Sequence, residues 1–79
     1  MLQRVKRITS HVGHARFLAE CEETTYSIPR QTDIPSPYAY SPEWYVYRHQ
    51  EQYVIIRETM HKRYDVFRVP AALLAPRQN

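Results

Sequence analysis

The chain has 79 residues, with 11 Lys+Arg against 8 Asp+Glu for a formal charge of +3, and 43% of it is apolar. That length supports one small domain over residues 1–79 rather than two. A single glycine, Gly13, and a single cysteine, Cys21, exclude a glycine-rich phosphate loop, an intrachain disulfide, a paired-cysteine redox motif and a multi-cysteine zinc site.

The first third supports two readings. As a helix, Leu2, Val5, Ile8, Val12, Ala15 and Ala19 recur at spacings of three and four and share a face. As strands, Ala15, Phe17, Ala19 and Cys21 alternate with His14, Arg16, Leu18 and Glu20. A glycine inside a helix costs about 1 kcal/mol, whereas a turn uses its positive φ freely. That difference predicts a hairpin turning at Val12 and Gly13, followed by a third short strand over residues 25–28.

Residues 30–43 hold Pro35, Pro37 and Pro42 and the near-repeat Ser36-Pro37 and Ser41-Pro42, which predicts an extended Pro/Tyr-rich connector within the domain. No two of these prolines stand three apart, so a PxxP ligand is excluded. Tyr38 and Tyr40, two apart in an extended segment, share a side that faces either the sheet edge or a partner.

The second half is β-prone. Residues 44–48 read Trp-Tyr-Val-Tyr-Arg and residues 53–56 read Tyr-Val-Ile-Ile. Four consecutive apolar residues suit a strand covered on both faces, which puts residues 53–58 at the centre of the sheet. Residues 64–69 add a third run with Val66, Phe67 and Val69, stopped by Pro70. The connectors, residues 49–52 and 59–62, lack glycine, as four-residue loops on type I turns permit. Pro70 ahead of Ala71, Ala72, Leu73 and Leu74 predicts one or two turns of helix that set both leucines against an end of the sheet.

Together these elements predict a mostly β fold: two small antiparallel meanders forming a sandwich or partly open barrel, with a short C-terminal helix. The alternative is α+β, an N-terminal helix on a three-stranded sheet. The longest apolar run, residues 69–75, contains Pro70 and falls far short of the ~20 residues that cross a bilayer. No apolar stretch follows Arg4, Lys6 and Arg7, so the expectation is a cytoplasmic protein without a membrane partner. The acid-free residues 1–19 are the one feature shared with mitochondrial transit segments.

Catalytic and metal chemistry find little support. His11 and His14 are a single close pair, with Cys21, His49 and His61 as the other soft ligands. Zinc needs four convergent ligands, typically two close pairs. No metal or cofactor is therefore expected, and His11 and His14 read as solvated turn residues. Cys21 stands between Glu20 and Glu22, whose charges raise a thiol pKa, and reads as a small buried hydrophobe. Glu20, Glu22 and Glu23 read as a solvated turn, and Ser10 beside His11 is only a neighbour in sequence, whereas triads assemble in space. No catalytic residue is assigned, and the chain is expected not to be an enzyme.

Binding remains. Tyr38, Tyr40, Trp44, Tyr45 and Tyr47 place five aromatics within ten residues, and Tyr, Trp and Arg dominate interface hot spots. The leading expectation is a non-catalytic interaction module, a regulator or inhibitor, that docks on a protein partner through this aromatic edge by strand addition, or forms a homodimer. Burial of Trp44 with Val46 on one face, and Tyr45 with Tyr47 on the other, accounts for the same residues. The alternative is a small β-rich nucleic-acid binder using Arg4, Lys6, Arg7, Arg57, Lys62 and Arg63. Glu51, Glu58 and Asp65 interrupt its second cluster, so cross-strand pairs of Arg57 with Asp65, or of Glu58 with Arg63, explain those charges as well.

Overall fold

The computed structural model describes residues 2–34, 42–59 and 62–78. Six strands form one open sheet: β1 Gln3–Ile8, β2 Glu22–Pro29, β3 Glu43–His49, β4 Gln52–Thr59, β5 Arg63–Arg68 and β6 Ala75–Pro76. They lie in the order β1-β5-β4-β3-β2-β6, every pair antiparallel. The β-prone runs at residues 25–28, 44–48 and 53–58 fall inside β2, β3 and β4. The strands do not split into two facing meanders, so a single open layer replaces the expected sandwich or barrel.

The reason lies between β1 and β2. A helix, α1 His11–Glu20, occupies the place of the expected Val12-Gly13 hairpin. Its ten residues rise ~15 Å, close to the ~19 Å that four inter-strand steps require. The helix thereby carries the chain across the sheet, and β1 pairs with β5 instead of β2. Ser10 caps it, its side chain accepting a hydrogen bond from the Gly13 N–H at 3.0 Å.

Gly13 serves close approach rather than a turn. A Cβ there would stand 3.0 Å from Ile8 Cγ2 and 3.1 Å from Ser10 Oγ. The buried face of α1 is also not the periodic one: Val12 is 63% exposed, while Phe17 is the helix's buried residue. Gly13, His14, Phe17, Leu18 and Cys21, all at least partly buried, make the stripe that meets the sheet.

The sheet is covered on both faces, as the apolar run in β4 requires. On the helix side Phe17 packs with Ile8, Val54, Tyr64 and Val66, flanked by Cys21, Tyr47 and Ile56. On the opposite side Trp44, Val46, Ile28 and Ile55 pack with Leu2, Ile34 and Val69, flanked by Tyr53, Phe67 and Leu74. Val54 and Ile55 are both essentially inaccessible, one in each cluster, as alternation along a strand dictates.

The ends of the elements depart from expectation in two places. Residues 49–52 form a tight hairpin in which His49 pairs with Gln52, and Gln50 takes a positive φ of 56°, instead of a four-residue type I loop. The C-terminal helix is reduced to one 3-10 turn, Ala71–Leu73, before β6. Pro76 cannot continue a helix, and the Arg77 N–H bonds to the Thr25 carbonyl at 2.8 Å. The two leucines accordingly differ: Leu74 packs on the core, and Leu73 is 43% exposed.

Candidate functional site

The predicted aromatic residues disperse. Trp44 is 1% exposed in the core, under the Arg57 guanidinium at 4.4 Å from its ring. Tyr47 is half-buried against the helix-side cluster. Tyr45 is 50% exposed, with the Arg77 guanidinium 3.9 Å from its ring centre. Tyr38 and Tyr40 lie outside the described residues. The strand that carries the three described rings is interior, with β2 on one side and β4 on the other. β3 therefore has no free edge to offer, because strand order rather than composition decides where a sheet ends.

The basic residues converge instead. Asp65 of β5 stands opposite Arg7 of β1 and Arg57 of β4, so the three side chains share the face away from the helix. Arg7 Nε donates to Asp65 Oδ1 at 3.0 Å, and Arg4 Nη1 lies 4.0 Å from Asp65 Oδ2. Arg63, two residues before Asp65 on β5, belongs to the same face. Its Nε donates to Thr59 Oγ1 at 3.3 Å, and that hydroxyl donates back to the Arg63 carbonyl at 3.2 Å. Arg30, just past β2, lies near Arg57. Burial, and then the Arg30 charge, pull the Arg57 guanidinium below its usual pKa.

Arg4, Arg7, Arg57 and Arg63 are thus gathered on one face, while Lys6 and Lys62 are not. The Lys6 ammonium sits on the helix side, 5.3 Å from the Phe17 ring centre. Lys62 lies exposed at positive φ, 59°, just before β5. Arg30 escaped sequence reasoning, since it follows Pro29 at the start of the connector and no periodicity links it to β4. Of the two charge pairings weighed above, Arg57 does oppose Asp65, but Glu58 opposes Tyr64 and Arg63 opposes Thr59.

The electrostatics of this face follow from its geometry. Asp65 is 7% exposed, whereas the Arg4 and Arg7 side chains keep 46% and 39% of their surface in solvent. The carboxylate holds Arg4 and Arg7 from below, and both guanidiniums keep part of their surface in solvent. Arg4, Arg7 and Arg57 flank one carboxylate, with Arg63 on the same face and Arg30 near Arg57, so cations outnumber acids there. Forked donors of this kind suit phosphate oxygens.

The histidines and the thiol belong to packing. His11 and His14 lie on α1 rather than in a turn: His11 stays exposed while its Nδ1 shares a hydrogen bond with the Tyr64 hydroxyl, and His14 is half-buried, its ring stacked on Tyr64 at 3.9 Å. Burial is the main cause that lowers the His14 pKa, with His11 adding to it and Glu58 opposing it. His49 sits against Phe17 at 4.4 Å and pairs with Glu20 at 3.0 Å. Burial, then Glu20, raises the Cys21 thiol. His61 lies outside the described residues. Among those described, no group of three or more His, Cys, Asp or Glu could hold a metal ion, and no helix is long and apolar enough to cross a membrane.

No protein-family model matches the chain, and no curated protein or solved structure matches it either.

Proposed function

We propose that the protein is a non-catalytic binding module that holds the phosphate backbone of a nucleic acid on its arginine face. One observation carries the reading: the fold draws Arg4 and Arg7 from β1 and Arg57 and Arg63 from the β4–β5 hairpin to one face beside Asp65, with Arg30 from the end of β2 near Arg57. Such a face supports phosphate contact through counterion release, which is sequence-independent. Trp44 lies beneath Arg57 instead of presenting its ring to bases, so backbone contact rather than base stacking carries the binding.

The test uses a labelled 15-nucleotide single strand and its duplex, titrated by fluorescence anisotropy at low salt. Wild-type protein is expected to bind, and the double variant Arg4→Gln with Arg63→Gln to bind at least tenfold more weakly while unfolding at the same denaturant midpoint within about 0.5 kcal/mol. Tyr45→Ala leaves the affinity unchanged. Binding lost with Tyr45→Ala but retained in the arginine double variant would return the function to an aromatic protein-docking surface.

A further inference from the structure

Between β1 and α1 runs a second surface, distinct from the arginine face. β1 is one of the sheet's two terminal strands, and β6 is the other. β6 has only two residues, one of them Pro76, which has no N–H to donate. β1 has six, all exposed but Ile8, so among the described strands it alone offers a ladder of useful length.

Alongside it lies an open groove of about 370 Å³, lined by Lys6, Ser10, Gly13, Arg16, Phe17 and Glu20 among others. A smaller groove of about 190 Å³ shares Lys6 and Phe17 and adds Val5, Val54 and Val66. The register shift between Arg4 and Lys6 is what lets Val5 and Lys6 line the same hollow. A strand-and-helix groove of this shape takes an extended chain, with main-chain bonds to the edge strand and alternate side chains in the groove.

We propose that this groove binds an extended acidic peptide segment of a protein partner, added to β1 as a further strand. Charge decides the occupant. Lys6 and Arg16 supply the groove's cations on the helix side, and the one acid among its described lining residues, Glu20, is already tied to His49 at 3.0 Å. A second copy of the chain would set the basic residues of one β1 against those of the other, which repels self-pairing. The same guard attracts a strand of opposite sign. An acidic side chain fits between Lys6 and Arg16, and an apolar residue two positions along the added strand, on the same face, fits against Val5 and Phe17.

The test titrates the isotope-labelled full chain with the blocked six-residue peptide Glu-Thr-Val-Thr-Glu-Thr, which sets Glu and Val on one face, and with a matching peptide that has Lys for Glu, following amide shifts and hydrogen exchange. The acidic peptide is expected to shift residues of β1 and of α1 around Phe17 and to slow exchange on β1, while the basic peptide does neither. The double reversal Lys6→Glu with Arg16→Glu, both side chains exposed, lowers affinity for the acidic peptide at least tenfold and transfers binding to the basic one. Shifts confined to Arg57 and Arg63, or no shift with millimolar peptide, overturn the proposal. The two tests are read on different residues, since Lys6 and Arg16 lie on the helix side of β1 and Arg4 and Arg63 on the other.

Discussion

Asp65 and Gly13 each do something that their residue type alone does not announce. Asp65 interrupts a basic run in the chain, yet it is the hub that holds the arginine face together. Replacing it with Asn leaves Arg4, Arg7 and Arg57 to repel one another. Because the arginines stay partly in solvent, the loss is expected to be about 1–2 kcal/mol, below that of a fully buried pair. Asp65→Asn is also expected to bind nucleic acid more tightly at low salt, since the internal counter-charge is gone. Stability and anisotropy measured on one preparation check both signs, and a variant that loses affinity while folded would contradict the role given to Asp65.

Gly13→Ala offers a sharper comparison. Helix propensity alone favours alanine by about 1 kcal/mol. The added methyl would meet Ile8 Cγ2 at 3.0 Å, and Ile8 is 6% exposed under the helix, so packing opposes the change. The contact is expected to win, lowering the thermal midpoint by a few degrees. A raised midpoint would mean that α1 does not sit this close to β1.

The strands were legible wherever one physical signal dominated. Tyr53, Val54, Ile55 and Ile56 can be buried together only in a strand with both faces covered, and the structure puts them third in the sheet. Alternation likewise sorts Trp44 and Val46 inward and Tyr45 outward. The helix was legible only as one of two readings, because the tie-breaker at Gly13 rests on propensity, whereas the residue is needed for close packing. The Phe17, Leu18 and Cys21 stripe, with Ser10 as cap, was the weaker but correct signal, and alternation around Phe17 concealed it.

That helix is held at its N-terminal half by imidazole rings on Tyr64, which makes its docking sensitive to acid. A folded-state pKa lowered by burial means that the unfolded chain binds the proton more readily. Stability is therefore complete above the ordinary histidine range and falls as pH drops from about 6.5 toward the lowered value. His11, Glu58 and Tyr64 face His14 and share in the response. Denaturant midpoints between pH 5 and 7 are expected to rise with pH, and His14→Phe, which keeps a stacking ring without the proton, flattens the rise. An unchanged slope in that variant would remove His14 as the cause.

In the whole molecule, the proposed site depends on strand order more than on composition. The candidate cations could be named from the chain, but Arg4 and Arg7 stand some fifty residues from Arg57 and Arg63, and nothing local says that β1 inserts beside β5. The crossover made by α1 does this, and the antiparallel register then sets Arg7, Asp65 and Arg57 in one row. The same topology leaves β3 inside the sheet and moves the long open edge to β1, away from the tyrosines. Arg30 joins the face only through tertiary proximity, which no sequence pattern encodes.

The salt dependence of nucleic-acid binding tests this account most directly. Arg4, Arg7 and Arg63 correspond to about three phosphate contacts, so the logarithm of affinity should fall against the logarithm of salt with a slope near −2 for a single strand. Removing Arg4 and Arg63 together should make that slope shallower by about 1.4. An affinity that hardly responds to salt, or no binding at the lowest salt, would contradict a phosphate-binding arginine face.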